Sequence, residues 1–353
     1  MRIFSIGVCA AATFALLWLG DLSSVGTEAA QLRRVGRRRT DTRNPYGVPG
    51  FTFERTHGFS KGQTAKGTYR GKPAFLKCTK NKALFENECF ALLTIQSGNP
   101  KEFNMDNNVK SSFASILSAV QPRPSKYCMV FGWLDGVGLH DYVRELEPYQ
   151  KEELLPVIFL QVIKALQYMH ALKLVHGDIK PDNIIITQPT PNGPPKAVLI
   201  DFDMSQKVER TRAHAVGGTP GYMPPEDYLE IPTDQYKRDS WMLGATIYEG
   251  YTNMPPYGVD YDEASGKYIE WTDKELRDEM RSISSADKNT YEKVEAKSRS
   301  LVDIMDKLMT CDLEKRPTVS SLSARLVAGL SEHKKVYTYL AQLWTKLASK
   351  RRR

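Results

Sequence analysis

The sequence is poor in cysteine, with five residues in 353, and Cys9 lies among the first thirty. The other four are too few and too scattered for a disulfide framework, and they lack the spacing of metal ligands: Cys78, Cys89, Cys128 and Cys311. We therefore expect buried free thiols. The sequence also lacks internal repeats, and its ordinary shares of hydrophobic (41%) and charged (25%) residues exclude a wholly disordered chain, a fibrous protein and a multi-span membrane protein.

Basic charge is concentrated in two short flanks. Residues 31–44 and 346–353 each carry a net charge of +5, so the rest of the chain sums to −2 although the whole has +8. A duplex-binding domain would instead carry its basic residues along one face of the fold, which argues against a nucleic-acid partner. Basic flanks beside a nearly neutral body fit contact with an anionic membrane surface.

Both ends of the chain are predicted to lie outside the folded domain. Residues 1–30, with Arg2 before an uncharged run over 3–19, have the pattern of a cleaved signal peptide, and a retained signal anchor is the alternative. Residues 31–50 form an Arg-rich leader, which is either a solvated linker or a membrane contact. Residues 332–353 are predicted to contain a basic amphipathic helix that either packs on the domain, as most do, or docks on a membrane or partner.

The intervening pattern changes from strand-like to helical. Short aromatic or alternating runs predict strands, and apolar residues at helical intervals predict helices. The predicted elements are strands at Phe51–Arg55, Thr68–Arg70, Lys72–Cys78, Tyr127–Leu134, Asn183–Thr187 and Ala197–Ile200, and helices at Asn81–Gln96 and Leu154–His170. A small β-rich part therefore precedes a larger, mainly helical part.

The stretch that carries chemistry is LVHGDIKPDNIII, residues 174–186, followed by Asp201-Phe202-Asp203. Asn183 and Asp201 offer hard oxygen ligands of the kind that Mg²⁺ takes when phosphates supply the others. Asp178 is free to orient a hydroxyl group and accept its proton, and Lys180 would place positive charge on a transferring phosphoryl group. Together these residues predict phosphoryl transfer, in which catalysis is mostly positioning and charge neutralisation.

Over residues 51–331 the sequence resembles the eukaryotic protein kinase family. His176-Gly177-Asp178 stands at the HRD motif of the catalytic loop (176–183), and residues 201–226 resemble the activation segment, from DFG to APE. The resemblance implies an α+β bilobal fold with a small N-terminal antiparallel β-sheet lobe, one helix in that lobe, and a larger, mainly α-helical C-terminal lobe. It also implies that Asp239 holds the catalytic loop and that Glu226 pairs with Arg316.

The same resemblance assigns an ATP site. Lys77 would anchor the phosphates, with Glu88 as its ion-pair partner and Glu86 as the nearest rival. Residues 129–134 resemble the hinge beside the adenine. The hinge residues assigned to the nucleotide are Phe131, as the gatekeeper, with Trp133 and Leu134.

Two further implications concern packing and substrate class. Leu92, His176 and Phe202 would form the hydrophobic stack that joins the lobes. Lys180 and Thr219 resemble the serine/threonine branch, and the Thr219 hydroxyl would bond to Asp178 and Lys180.

The sequence departs from the family pattern in the glycine loop, at Phe75, in the HRD motif and in the DFG motif. Gly58, Gly62 and Gly67 lack the GxGxxG spacing of the phosphate-covering loop, and Phe75 stands where the family usually has a small Ala over the adenine. Either Lys61 or Lys66 meets phosphate charge instead, or the site has decayed. Gly177 replaces the Arg of HRD, which predicts activity without a phosphate on Ser205, Thr211 or Thr219. Asp203 replaces the Gly of DFG, which restricts the backbone and adds a carboxylate of undecided effect.

The signal-like N-terminus, the Arg-rich leader, HGDIKPDN and the irregular glycine loop resemble the secreted rhoptry-kinase-like proteins of apicomplexan parasites, including an offshoot without a Gly-rich loop. This implies rhoptry or dense-granule delivery to the parasitophorous vacuole. The predicted function is a secreted, Mg²⁺- and ATP-dependent kinase acting on Ser/Thr of protein substrates. A pseudokinase scaffold that binds a protein partner is the alternative. A small-molecule phosphotransferase is disfavoured by the peptide-binding elements Thr219 and Pro224-Pro225-Glu226.

Overall fold

The computed structural model describes residues 44–56, 63–190, 193–210, 212–297, 299–330 and 340–350. The predicted signal peptide, most of the leader, Gly58, Lys61, Gly62 and Thr211 lie outside these residues. The chain divides into two compact units, 1–47 and 48–353. In the first unit the described residues form a turn in which the Gly47 amide donates to the Asn44 carbonyl (3.1 Å).

Five antiparallel strands and one helix form the N-terminal lobe, with the strands in the spatial order β1-β2-β3-β5-β4. The elements are β1 (Phe51–Thr56), β2 (Thr64–Tyr69), β3 (Lys72–Thr79), α1 (Lys82–Ser97), β4 (Ile116–Arg123) and β5 (Lys126–Gly132). Alternate residues of β3, namely Ala74, Leu76 and Cys78, are buried. Because side chains alternate along a strand, Phe75 and Lys77 lie together on the opposite face.

Helix α1 presents one carboxylate to the interior and another to solvent. The Asn81 side chain caps the helix by accepting from the amides of Ala83 and Leu84. Glu88 is 1% exposed and lies on the same face as the buried Leu92. Glu86 is exposed and pairs with Lys82 at 3.2 Å. The helix therefore turns Glu88, not its rival, towards β3.

The C-terminal lobe is mainly helical, which confirms the predicted α+β bilobal architecture. Its strands are β6 (Gly136–Gly138), β7 (Leu174–Val175), β8 (Ile184–Thr187), β9 (Lys196–Leu199), β10 (Gln206–Lys207), β11 (Arg212–Ala213), β12 (Thr233–Asp234), β13 (Val259–Asp262) and β14 (Lys267–Glu270). Its helices are α2 (Leu139–Arg144), α3 (Pro148–Ala171), α4 (Pro225–Tyr228), α5 (Gln235–Thr252), α6 (Asp273–Ala286), α7 (Arg299–Leu308), α8 (Ala324–Gly329) and α9 (Leu340–Lys350). Short 3₁₀ turns lie at Pro100–Phe103, Asn107–Ser112, Pro181–Asn183 and Val319–Ser321.

Helices α3 and α5 form the centre of this lobe. Helix α3 begins six residues before the predicted start, because Pro148 at its first turn and a capping box between Glu147 and Gln150 fix the N-terminus. Its apolar stripe, including Leu155, Phe159 and Leu166, is buried in the core. Of the described helices, α3 alone is long and apolar enough to cross a membrane, and 67% of its most apolar window is buried within the fold.

The C-terminal helix α9 packs on the domain, the first of its two predicted alternatives. Leu340, Leu343 and Leu347 recur at helical spacing and are buried in the core cluster. Lys346 on the polar side forms an ion pair with Glu145 at 2.9 Å. The apolar face of this helix is therefore already covered by the domain.

The expectation of free thiols is wrong for two of the four cysteines. Cys78 on β3 and Cys128 on β5 are direct partners in the antiparallel register and form a disulfide. Cys89 and Cys311 are free. The pair is 50 residues apart in sequence, so only the register of the two strands brings the sulfur atoms together.

We expect reduction of this disulfide to lower the free energy of unfolding by about 2–4 kcal/mol, because the bond closes a long loop in the unfolded chain. Urea unfolding with and without a thiol reductant measures the loss. The double variant Cys78→Ala/Cys128→Ala should lose its response to reductant, whereas Cys89→Ala should keep it. A wild-type unfolding curve that reductant does not shift would show that the bond is absent.

Candidate active site

The two lobes meet at a charged cluster around Lys77. Its Nζ lies 2.7 Å from Glu88 Oε2, contacts the Asp201 carboxylate, and is 3.6 Å from Asp203 Oδ2. Burial alone would lower the pKa of Lys77, but the carboxylates of Glu88, Asp201 and Asp203 outweigh that effect and raise it. The ammonium group therefore stays protonated and ties β3 to α1 and to the segment after β9.

A short sheet places Asn183 beside Asp201. Strands β8 and β9 pair with Ile184 opposite Leu199, and the Ile200 amide donates to the Asn183 carbonyl at 3.0 Å. Asp201 follows at once with a φ of +63°, in the left-handed region, where Asp is tolerated better than most residues. The two residues predicted to bind metal are thus neighbours although 18 positions separate them.

These two side chains fit a magnesium ion that also binds phosphate. The Nδ2 of Asn183 donates hydrogen bonds to Asp178. The side-chain amide oxygen of Asn183 is therefore the atom available to bind a cation. The Asp201 side chain is 39% exposed, although it contacts Lys77. No group of three His, Cys, Asp or Glu side chains that could hold a metal occurs among the described residues. Mg²⁺ commonly takes one or two protein oxygens and completes its shell with phosphate and water.

The catalytic loop holds Asp178 in a network of donors. The Thr219 hydroxyl donates to Asp178 Oδ1 (2.7 Å), and Lys180 Nζ lies 2.9 Å from Oδ2 and donates to Thr219 Oγ1 (2.6 Å). Asn183 Nδ2 donates to the Asp178 carbonyl (2.8 Å) and to Oδ2 (3.1 Å). Burial would raise the pKa of Asp178, but the bonds from Thr219 and Lys180 lower it. Asp178 is therefore an ionised acceptor held in one orientation.

Asp239, in the first turns of α5, holds the backbone of the catalytic loop, as the motif resemblance implies. Its carboxylate accepts from the amides of His176 (2.9 Å) and Gly177 (3.0 Å) and contacts His170 Nε2 (2.9 Å). It is fully buried, yet these partners keep its pKa lowered against the effect of burial. A fixed charge under the loop therefore supports the position of Asp178.

The hydrophobic stack joins the two lobes behind this site. The Phe202 ring lies 5.0 Å from that of His176, and both Phe202 and Leu92 are fully buried. Phe113 adds a third ring at 6.2 Å from Phe202, and sequence reasoning missed it because it is an isolated aromatic residue between a 3₁₀ turn and β4. The buried Phe202 keeps Asp201 beside Lys77.

Aromatic rings lie among the residues predicted to border adenine. Phe75 on β3 and Phe131 on β5 are direct strand partners with ring centroids 6.3 Å apart. Half-buried Lys66 lies on β2 opposite Phe75, and its Nζ is 4.6 Å from the centroid of the Trp133 ring. Lys66 is thus engaged at the hinge, where Trp133 and the half-buried Leu134 lie.

Gly67 belongs to a strand and not to a phosphate-covering loop. It lies within β2, and a Cβ there would come 2.1 Å from the Thr52 carbonyl oxygen and 2.7 Å from the Phe51 ring. Close packing of β1 on β2 therefore requires glycine at this position. Of the three predicted loop glycines, Gly58 and Gly62 fall outside the described residues.

Comparison with known proteins decides the family. The protein kinase domain matches residues 59–326, more than half of the chain. The chain belongs to the protein kinase family. The kinase is 26% identical over 235 residues (65% of the chain) to sperm motility kinase Z of Mus musculus. It is 24% identical over 270 residues (73%) to the probable serine/threonine-protein kinase CCRP1 of Zea mays, and 30% identical over 179 residues (48%) to the cAMP-dependent protein kinase catalytic subunit 3 of Drosophila melanogaster.

The matched regions span only part of these relatives. They cover 41% of sperm motility kinase Z, 40% of the maize protein and 29% of the Drosophila protein. The protein kinase domain at residues 59–326 contains the Lys77 cluster and the catalytic loop. A kinase domain implies use of ATP, usually with Mg²⁺.

We expect Phe75→Ala to lower KM for ATP about tenfold, because removing a ring that crowds a binding space relieves roughly 1–3 kcal/mol of overpacking. Steady-state kinetics with varied ATP measure the change. Phe103→Ala is the matched control, since that ring packs near Tyr168 (6.2 Å) and not at the hinge. A rise in KM in Phe75→Ala would show that the ring contacts the base instead of obstructing it.

Proposed function

We propose that this kinase transfers the γ-phosphoryl group of ATP to Ser or Thr of protein substrates. The observation that carries the proposal is the contact of Lys77 with both Glu88 and Asp201 across the cleft. If Lys77 lay apart from Glu88 and Asp201, on the protein surface, a bound nucleotide would lack the cation that orients its phosphates. The Asp178, Lys180 and Thr219 network supports transfer to a hydroxyl group.

Each residue has a role that follows from its position. Lys77, held by Glu88, orients the α- and β-phosphates. Asp178 accepts the hydrogen bond and then the proton of the substrate hydroxyl group. As the proton leaves, the substrate oxygen forms a bond to the γ-phosphorus, and the bond between the γ-phosphorus and the β-phosphate oxygen of the leaving ADP breaks. Lys180 neutralises the transferring phosphoryl group. Asn183 and Asp201 would hold Mg²⁺, which supplies positive charge to the phosphates.

Thr219 and Lys180 support Ser/Thr specificity. Their direct hydrogen bond (2.6 Å) connects Thr219, one of the peptide-binding elements, to Lys180 of the catalytic loop. Incubation of the purified protein with Mg-ATP and a mixture of basic, acidic and neutral protein substrates, followed by phosphoamino-acid analysis, tests this. Phosphotyrosine alone would refute the specificity, and no incorporation above the Asp178→Asn variant would refute the activity.

A pseudokinase scaffold is the second candidate, and the observation that favours it is Asp203. Its carboxylate lies 3.6 Å from Lys77, so it is the third carboxyl group, after those of Glu88 and Asp201, to share this cation. Burial and the neighbouring Asp201 raise the pKa of Asp203. Asp203→Gly separates the candidates. If the protein is a working kinase, the substitution should raise its activity modestly. If the protein is a scaffold that is inactive for another reason, the substitution should confer no activity.

We place the protein in a secreted, rhoptry-kinase-like group, with the basic flanks as a contact for anionic membranes. The signal-like pattern of residues 1–30 and the Arg-rich leader support this. The Cys78–Cys128 disulfide supports it too, since such bonds persist in oxidising compartments and are rare in the cytosol. N-terminal sequencing of protein recovered from the secretory route tests the cleavage. Co-sedimentation with vesicles containing phosphatidylserine tests the membrane contact.

A further inference from the structure

Arg238 is a buried cation that bonds to three separate segments. It precedes Asp239 in α5 and is 1% exposed. Its Nε donates to Asp227 Oδ2 (2.6 Å), its Nη1 to the Gly177 carbonyl (3.0 Å), and its Nη2 to the Gly217 carbonyl. One guanidinium group therefore joins helix α4, the catalytic loop and the activation segment. A planar fork of five donors can span such acceptors, whereas an ammonium group cannot hold the same geometry.

The backbone around Arg238 is shaped to receive it. Gly177 has a φ of +82°, and a Cβ there would lie 2.5 Å from the Met204 carbonyl oxygen. Gly218 has a φ of +154°, and a Cβ there would lie 2.7 Å from Arg238 Nη2. No side chain fits at position 177 without a shift, so the cation reaches this point from α5 instead of from the HRD position.

The described hydroxyl groups of the activation segment are already engaged. Ser205 is 3% exposed and donates to the His176 carbonyl at 3.1 Å. Thr219 donates to Asp178 at 2.7 Å. Neither is free to carry a phosphate without breaking a contact that supports the site. The bonds made by Arg238 need no modification to form.

We propose that Arg238 is a positioning residue that holds the activation segment against the catalytic loop without a phosphate. This rests on the proposed kinase function, because it explains how that site is kept assembled. Arg238 touches neither Lys77 nor Asp201 in the described contacts. Its loss should therefore affect the position of the activation segment and leave nucleotide binding nearly intact.

The test is hydrogen exchange of residues 212–221 in the full-length protein. We expect Arg238→Met to speed exchange there about tenfold, since charge-assisted bonds to carbonyls stabilise the closed segment. Arg238→Lys keeps the charge opposite Asp227 but not the fork, so it should fall between. Lys237→Met is the matched control, because that neighbour donates to the carbonyls of Leu313 (2.7 Å) and Glu314 (3.1 Å) and makes no described bond to residues 212–221. Unchanged protection of α3 in each variant shows that the fold is intact.

Kinetics give a second readout. Arg238→Met should lower kcat about tenfold with little change in KM for ATP, and phosphatase treatment should leave wild-type kcat unchanged. Equal exchange of 212–221 in wild type and Arg238→Met would overturn the proposal, whatever the activity. Faster exchange in Arg238→Met supports it even if no variant phosphorylates a substrate, in which case the proposed function alone fails.

Discussion

Asp178→Asn is expected to lower kcat about a thousandfold, within the range for losing a positioned general base. The substitution keeps the size of the side chain and its place between Thr219 and Asn183, but it removes the negative charge that accepts the substrate proton. Bonds from Thr219 and Lys180 lower the pKa of Asp178, so the wild-type group is ionised throughout the physiological range. KM for ATP should stay close to the wild-type value, because the substitution leaves Lys77 and Asp201, the residues proposed to bind the nucleotide and its metal ion, unchanged.

Asp182→Asn is the matched control for this measurement. Asp182 lies in the same loop, four residues further on, but its side chain is exposed and the residue stands in a 3₁₀ turn. Neutralising it removes the same charge without touching the network, so kcat should stay near that of wild type. Equal phosphate incorporation by wild type and Asp178→Asn would show that Asp178 is not the base and that the incorporation has another source.

The chemical groups of the catalytic loop could be predicted from the sequence because the residues that carry them lie close together along the chain. Asp178, Lys180 and Asn183 lie within six residues, and Asp201 follows the next strand. Turn residues between short apolar strands leave few ways to arrange such groups, so their proximity follows from the spacing. The ion pair of Lys77 with Glu88 needed the family resemblance, and the structure shows why: an entire helix turns Glu88 inward.

The rest depended on the register and packing of distant segments. The Cys78–Cys128 bond follows from the pairing of β3 with β5, and the requirement for Gly67 follows from the close approach of β1. Arg238 looks like an ordinary surface-type residue in sequence, because nothing local shows that it will be buried against Gly177 and Gly217. Bonds that converge from three segments leave no periodic signal in any one of them.

The largest expected loss of stability is that of Arg316→Met, about 3–5 kcal/mol, because it leaves the Glu226 carboxylate buried without its partner. Both Nη1 and Nη2 of Arg316 donate to Glu226, the second at 3.0 Å, and both residues are buried. Arg316 also donates to the Thr310 carbonyl (2.8 Å) and lies 4.8 Å from the Trp241 ring centroid. Urea unfolding at neutral pH measures the change.

Two further variants separate the cost of an unpaired charge from loss of packing. In Glu226→Leu/Arg316→Met neither position carries a charge, so no carboxylate is left buried without its partner there. Much of the lost stability should return, since buried ion pairs can often be replaced by apolar residues of similar volume. Arg212→Met breaks the exposed pair with Glu314, whose side chains are 56% and 72% exposed, and should cost less than about 1 kcal/mol. If the double variant were as unstable as Arg316→Met, the loss would come from packing against Trp241 and not from the stranded carboxylate.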